Sequence, residues 1–451
     1  MNKLRFLALC AVIALPIVGA AQDRERCILT PSLKTRLTRI KTPSGQDNTF
    51  MAGGVRIACP TKDLRLDADS LESYGDDGRI YLVGNVHYDE PRLSLTSDFL
   101  TYYQRDERIV PQGNVHAKLP SGSTLVGPAA EYLRAIPGTR PVPRLNATGR
   151  PTITIAQKDS TGQPLPPTTV VANNVTMVGD SLVYAGGSVI VTREDVIARG
   201  DSIALDSEHE ISVIMRGPSI EGRRDRPFTL TGERIELLGH TRKLRQVVSK
   251  GRGKAVSEDM TLTADTIDLR IADDLLQRAI AWGPTRARAN SPSQQILSDS
   301  IDVTMPAQRI REMHAVRNAS AEGKPDTTRF RADTVDWMRG DTIVARFDTT
   351  PPKTASKDTT AQLRQLVALG NAKSFYHLAP SDTTLRKPAI NYVIGREIVV
   401  DFQEQKVAKV TVIEKSAGVY LEPKAAPKTD TTRAAPATLR AAPPPRTRPP
   451  L

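Results

Sequence analysis

The chain is poor in aromatic residues, which make up 4% of its 451 residues, and it contains only three cysteines. Its basic residues are spread out without aromatic residues between them, which argues against the stacking platforms that bind single-stranded nucleic acid. No segment stays apolar for the roughly 20 residues that a membrane-spanning helix requires. Helix signals are weak throughout, so we expect an all-β chain.

Motifs for enzymatic chemistry are also sparse. The segments Gly179-Asp-Ser-Leu182 and Asp206-Ser-Glu-His209 match two short motifs of GDSL hydrolases. They lie close together among alternating strands, without the helices that scaffold those enzymes. His87 and His116 occupy equivalent places in two similar segments, but no third metal ligand follows in register. We therefore predict no enzyme activity, no metal and no cofactor.

The N-terminus has the pattern of a secretory signal. Lys3 and Arg5 precede an apolar stretch at 6–18, and small residues follow it. This predicts a signal peptide over 1–21, with an uncleaved anchor as the alternative. A signal peptide directs export from the cytosol, which also argues against nucleic acid as a partner. The net charge of +12 suggests anionic partners such as phosphorylated lipid headgroups, although it also serves solubility and includes a basic tail.

Two cysteines remain after the predicted signal, Cys27 and Cys59. An exported chain with two cysteines suggests a disulfide. Closing a loop of about 33 residues would stabilise the fold by roughly 3–4 kcal/mol in the chain-entropy model. The alternative is two free thiols.

A degenerate repeat of roughly thirty residues dominates the chain and predicts a stacked architecture. Each copy opens on a small residue followed, with one exception, by an acid, and it ends on glycine. We expect the acid to end a turn before a strand begins, and the glycine to allow a bend or bulge. The copies begin at Ala68-Asp69, Ser97-Asp98, Gly200-Asp201, Gly232-Glu233, Ala264-Asp265, Ser298-Asp299, Ala332-Asp333 and Gly395-Arg396.

Composition divides the chain into segments. A lead segment with weak periodicity is followed by three repeat-bearing parts, with a Pro-rich break after the first and Asp-Thr-Thr insertions in the third. The last segment is rich in Pro, Ala, Thr and Arg and should be disordered. The predicted boundaries are 1–21, 22–61, 62–158, 159–169 (the break), 170–325, 326–422 and 423–451 (the tail).

The repeats resemble the OstA-like family, which comprises LptA, LptC and the N-terminal domain of LptD in lipopolysaccharide export. The resemblance rests on Leu66-Asp-Ala-Asp-Ser-Leu-Glu72 with Gly84-Asn-Val-His-Tyr88, and on Leu369-Gly-Asn-Ala-Lys-Ser-Phe375 with Asn391-Tyr-Val-Ile-Gly395. It covers most of 62–423, in a chain more than twice the length usual for LptA. The family implies an elongated, open, twisted β-jelly roll whose two antiparallel sheets form an apolar trough for the acyl chains of lipid A.

The family also implies a periplasmic location, near the inner or outer membrane, and partners among the export components that join through edge strands. Physically, about ten two-strand units would give about ten strands per sheet and a trough of roughly 50 Å. The alternating apolar positions are the candidate lining, although a one-residue slip would reverse the inward face and a dry core is the alternative. They are Leu82, Val86, Leu93, Leu95, Val115, Ile267, Leu269, Ile271 and Val399.

The leading hypothesis is therefore a periplasmic lipid-binding protein that shields acyl chains and passes lipopolysaccharide between membranes. A structural or adhesive envelope β-solenoid that binds protein or glycan is the first alternative. A β-helix enzyme acting on polysaccharide is the second, and it is disfavoured because no cluster of acids follows one ladder of strands.

Overall fold

The computed structural model describes residues 28–424, except 32–33, 61–62, 160, 195, 224–226, 242, 293, 326–329, 349–360, 383–384 and 404–405. The predicted signal peptide at 1–21 lies outside this part, as does the predicted tail at 423–451 apart from its first two residues. The described chain is almost entirely β-strand, with a single turn of 3₁₀-helix at Pro306–Gln308. This confirms the predicted all-β class.

The strands are 4 to 17 residues long, and most pair with the next strand in the chain as antiparallel hairpins. Their bounds are β1 Ile28–Pro31, β2 Arg36–Lys41, β3 Asp47–Cys59, β4 Leu64–Tyr74, β5 Arg79–Glu90, β6 Leu93–Tyr103, β7 Arg108–Lys118, β8 Thr124–Leu133, β9 Arg144–Thr148, β10 Thr152–Lys158, β11 Pro164–Val171, β12 Asn174–Val178, β13 Leu182–Arg193, β14 Val196–Asp206, β15 Ile211–Met215, β16 Ser219–Gly222, β17 Phe228–Thr231, β18 Arg234–His240, β19 Lys243–Ser257, β20 Thr261–Ala272, β21 Leu275–Asn290, β22 Gln294–Thr304, β23 Glu312–Gly323, β24 Asp336–Asp348, β25 Gln362–Leu378, β26 Ala389–Gln403, β27 Lys406–Ile413 and β28 Ala417–Leu421.

A bulge near the middle of each long strand divides the sheet lengthwise into two half-sheets. In β4, residues 65–67 pair with residues 87–89 of β5, and residues 70–74 pair with 79–83. Segments on the side of 65–67 form half-sheet 1, and segments on the side of 70–74 form half-sheet 2. Short strands belong to one side only: β10 and β9 both pair with β8, but on opposite sides of its bulge.

Each half-sheet contains 22 antiparallel segments in the described part of the chain. At about 4.8 Å between neighbours, such a row extends for about 100 Å. The expectation of about ten strands per sheet was therefore wrong. It assumed that each strand belongs to one sheet, whereas most strands bend at the bulge and serve both.

The core lies between the half-sheets. Side chains from both sides of the bulges form a single buried cluster, as Leu66 and Leu71 do within β4. The alternation of buried and exposed positions along β5, β6 and β7 gives each half-sheet one apolar and one polar face. The apolar faces of the two half-sheets therefore cover each other.

Five of the seven repeat acids lie in the middle of strands, at the bulges, while Glu233 lies between β17 and β18 and Asp333 precedes β24. The Asn114 amide donates to the Asp98 carboxylate at 2.9 Å, and Asn85 donates to Asp69 at 2.8 Å. In both cases a left-handed glycine precedes the asparagine, as Gly113 does with φ +72°. The glycine was predicted to allow a bulge, which is confirmed. The acid was predicted to end a turn, which is wrong, because it stabilises the bulge of the neighbouring strand.

The sheet also crosses two predicted segment boundaries. The lead segment at 22–61 contributes β1, β2 and β3, and β3 pairs with β4. The Pro-rich break at 159–169 contains a hairpin turn and the start of β11, which pairs with β10 and β13. The prolines therefore do not interrupt the sheet. The Asp-Thr-Thr segments at Asp348 and Asp382 fall at strand ends or connections, as expected of insertions.

Cys59 is disulfide-bonded. Cys27 lies outside the described residues, but Ile28, which follows it, pairs with Ala58, which precedes Cys59. The pairing of Cys27 with Cys59 stays a prediction that this register favours. We expect the mature, unreduced protein to show no free thiol after denaturation and alkylation, by intact mass. A Cys27→Ser variant should show one. Two alkylated cysteines in the mature wild-type protein would contradict the pairing.

Candidate binding cavity between the half-sheets

Most of the predicted lining residues lie in a tightly packed core. The seven that are at most 1% exposed are Leu82, Val86, Leu93, Leu95, Val115, Ile267 and Leu269. They come from both half-sheets and all belong to the single buried cluster. They face the interior as predicted, but that interior is filled by side chains at their positions. An acyl chain could contact them only if the half-sheets separated there.

The two remaining candidates differ. Ile271 is half-buried and packs against the edge of the cluster. Val399 lies on the outer face of β26, because its neighbours Ile398 and Val400 are fully buried in the core. The predicted inward orientation of Val399 was wrong by one residue, a slip that moves a side chain to the opposite face of a sheet.

Polar side chains join the margins of the half-sheets across β5–β8. By margin we mean the edge away from the bulges, where the hairpin connections lie. Glu90 is at margin 1, the margin of half-sheet 1, and Arg134 is at margin 2. Their side chains form an ion pair of 2.6 Å, in which Glu90 is 4% exposed and Arg134 18% exposed. Arg134 also contacts Glu107 at 3.0 Å.

Three buried tyrosines complete this cluster, which we name the margin clasp (Tyr88, Glu90, Tyr102, Glu107, Tyr132 and Arg134). Tyr88 and Tyr132 donate to the two oxygens of Glu90, at 2.9 and 2.7 Å. Tyr102 donates to Glu107 at 2.8 Å. Burial, together with the Glu90 carboxylate, raises the pKa of Tyr88 and Tyr132, so both remain donors. Burial lowers the pKa of Arg134, but its contacts outweigh that effect and the pKa is raised.

The interior is less completely filled between β21 and β27. A cavity of about 480 Å³ lies between the half-sheets near their margins, within the range typical of small-molecule sites. We name it the margin cavity. Half-sheet 1 contributes its walls from β21 to β25, and half-sheet 2 from β23 to β27. Its apolar lining includes Met260, Ile296, Ile310, Met313, Phe347, Leu363, Leu366 and Phe402.

Connections from both margins cover this cavity. Met260 of the β19–β20 connection and Ile310 of the β22–β23 connection line the cavity and are buried. The Ala361 amide donates to Asp259 at 3.4 Å, which joins the connection after β24 to the connection after β19. These two residues come from opposite margins. Among the described residues, this hydrogen bond joins the two margins over the cavity.

One wall of the cavity carries a buried polar pair. Asp336 and His377 lie at the margin-1 ends of β24 and β25, and both are less than 10% exposed. Oδ1 of Asp336 accepts from the His377 amide at 2.9 Å and lies 2.7 Å from its Nδ1. Thr334 contacts Nε2 of the same imidazole at 3.2 Å. Burial raises the pKa of Asp336, although its bonds to His377 oppose this effect.

Tyr376 lies beside this pair on β25 and also lines the cavity. It is 5% exposed, and burial raises the pKa of its hydroxyl. The hydroxyl has no hydrogen-bond partner among the residues that the structure describes. The other buried tyrosines of the described chain are Tyr88, Tyr102 and Tyr132, and each donates to a carboxylate.

The polar motifs of the sequence lie on the surface, apart from this cavity. His87 and His116 are exposed and flank Thr96 on the outer face of half-sheet 1. His209 is exposed and contacts Asp206 at 2.8 Å, while Ser181 accepts from Ser207 through its backbone carbonyl. In the described residues, no group of three or more His, Cys, Asp or Glu side chains converges on a possible metal position.

No protein-family model and no curated protein matches this sequence. The OstA-like resemblance therefore remains an expectation carried by the repeat motifs. In the described ranges, no helix is long and apolar enough to cross a membrane.

Sequence reasoning missed both the margin clasp and the margin cavity. One signal pointed to the cavity: half of the chain's eight phenylalanines lie between residues 330 and 402. Three of these four, Phe330, Phe347 and Phe402, line it. The sequence shows no comparable signal for the clasp, because its members come from β5, β6, β8 and the connections after β6 and β8, and share no local pattern.

Proposed function

We propose that the protein holds acyl chains between its two half-sheets and passes lipopolysaccharide across the periplasm toward the outer membrane. The margin cavity is the observation that carries this proposal, because it leaves an apolar space unfilled between two facing sheets. The OstA-like repeats and the predicted signal peptide support the lipid and the location. Burying ten methylenes yields about 8 kcal/mol, enough to hold a chain away from its membrane.

Transfer along the interior requires no chemistry in this chain. One apolar contact replaces another as the chain moves, so the free energy changes little from strand to strand. The energy for directed movement would come from other export components. Under this proposal, chains occupy the margin cavity first, since the interior at Leu82 and Val86 is already filled.

The outermost strands are the proposed contacts with those components. β1 and β2 lie at one end of the half-sheets, and β27 and β28 lie at the other. β28 is exposed along its whole length, including Val419, Tyr420 and Leu421. An unpaired edge of this kind can add a strand from a partner chain.

The filled interior between β4 and β8 favours the second candidate function, a structural or adhesive envelope protein. Fully buried residues such as Val86 and Val115 need no ligand to cover them. In that case the margin cavity would be a packing defect, and the outer faces or edges would carry the binding. Lipid analysis of the purified protein distinguishes the two functions.

We expect protein purified from host membranes to carry lipid A-containing lipid, detectable by native mass spectrometry. Ala321 is buried and lines the margin cavity, so Ala321→Phe should fill part of it and reduce bound lipid several-fold. Lys373→Phe places the same side chain at an exposed position of β25 and should leave lipid binding unchanged.

Two results would refute the lipid proposal. One is a folded wild-type protein that is empty as purified and takes up no lipid A. The other is an Ala321→Phe protein, folded by circular dichroism, that binds as much lipid as the wild type.

A further inference from the structure

The hydroxyl of Tyr376 gives the margin cavity a specific chemical requirement. It is the one buried tyrosine of the described chain whose hydroxyl contacts no protein acceptor. The hydroxyl opens onto the cavity, so a molecule that fills the cavity must supply an acceptor or leave a buried donor unpaired, which is unfavourable. Because Tyr376 lines the cavity, a molecule inside it can supply the missing acceptor.

The neighbouring polar groups narrow the choice of acceptor. Asp336 lies opposite Tyr376 on the adjacent strand, and His377 and Thr334 already satisfy one another and Asp336. A free carboxylate entering here would approach Asp336, and the buried His377 is already engaged. The two lysines of the cavity lining, Lys324 and Lys406, are exposed. A neutral carbonyl oxygen avoids this repulsion and still accepts from the tyrosine hydroxyl.

The rest of the cavity suits an aliphatic chain. Met313, Leu363 and Leu366 of half-sheet 2 and Ile296 of half-sheet 1 supply apolar walls. A ligand that fits both parts has a hydrocarbon chain next to a neutral carbonyl, which is the arrangement at an ester- or amide-linked acyl chain.

We infer that the margin cavity binds one acyl chain together with the ester or amide carbonyl that links it to its headgroup, and that Tyr376 donates to this carbonyl. This inference rests on the proposed lipid function and adds a requirement that a purely apolar trough would not have. It makes Tyr376 a residue that distinguishes acyl chains from alkyl chains of the same length.

The test compares two twelve-carbon lysophospholipids that differ only in the linkage, an ester in one and an ether in the other. Binding to the mature protein is measured by titration calorimetry below the critical micelle concentration. We expect the wild type to bind the ester about 2- to 10-fold more tightly, the ratio that one net hydrogen bond supplies. Tyr376→Phe should abolish the preference, so that ester and ether bind equally.

Tyr392→Phe is the matched control, because Tyr392 lies on the outer face of β26 beside Trp337. It should keep the full ester preference. Equal binding of ester and ether by the wild type would overturn the inference, as would an ester preference that survives Tyr376→Phe. If Tyr376→Phe does not fold, the ratio of ester to ether affinity in the wild type still tests the inference. Absence of binding by either lipid would instead count against the proposed lipid function as a whole.

Discussion

Replacing Arg134 by methionine should lower the free energy of unfolding by about 4 kcal/mol. The substitution keeps the unbranched stem of the side chain and removes the cation that pairs with Glu90, which is 4% exposed. Breaking a buried ion pair from one side leaves an uncompensated charge and typically costs about 3–5 kcal/mol. Tyr88 and Tyr132 still donate to Glu90, which keeps the loss within this range. Urea unfolding followed by circular dichroism measures the change.

Two controls separate the margin clasp from a general effect of losing an arginine. Arg56→Met removes a partner of Asp67 at the surface, where both groups are well solvated, and should change stability far less. The double variant Glu90→Gln with Arg134→Met removes both charges and keeps an amide oxygen that accepts from a tyrosine, so it should recover part of the loss. A loss below about 1 kcal/mol for Arg134→Met would mean that the margins are not joined by this pair.

The margin clasp also gives the two parts of the interior different properties. Between β5 and β8, the Glu90–Arg134 ion pair and the hydrogen bond from Tyr132 to Glu90 join the half-sheets, and the core behind them is filled. Between β21 and β27, Ala361 bonds to Asp259 across the margins, and a cavity remains. If acyl chains enter this protein, we expect them to enter the second part, where less of the interior is filled.

The regular features of the fold were predictable because they depend on neighbouring residues. Alternation identified Ile267 and Leu269 as core positions of β20, and both are fully buried. Glycine at a repeat end predicted a bulge, and Gly84 and Gly113 are left-handed at bulges. The role of Asp69 was not predictable, because a turn and a mid-strand bulge both favour a small residue, an acid and a glycine.

The contacts that close the interior were not predictable, because they join residues far apart in the chain. Glu90 meets Arg134 because the connections after β5 and β8 reach across opposite margins. Asp259 and Ala361 meet across 102 residues. Each such contact depends on the number of strands between its members and on the twist of the sheet. A one-residue error in a strand face, as at Val399, does not affect the fold class but misplaces a site residue.

A second large effect is expected at the bulges. Gly113→Ala should lower the free energy of unfolding by about 3–4 kcal/mol. A left-handed backbone costs a residue with a Cβ atom roughly 1–2 kcal/mol, and φ of Gly113 is +72°. The added Cβ would also lie 2.9 Å from the Cβ of Asp98, so the acid that stabilises the bulge would have to move. This displacement would break the hydrogen bond from Asn114.

Gly45→Ala isolates the backbone part of this cost, because Gly45 has φ +84° and open space around its Cβ position. It should lose only about 1–2 kcal/mol. Adding Asp98→Ala to Gly113→Ala removes the crowded carboxylate and should recover part of the loss, but not the bond from Asn114. If Gly113→Ala and Gly45→Ala are equally destabilising, the acid does not constrain the bulge. The recurrence of this acid–glycine pair at Asp69 and Gly84 and at Asp341 and Gly370 would then need another explanation.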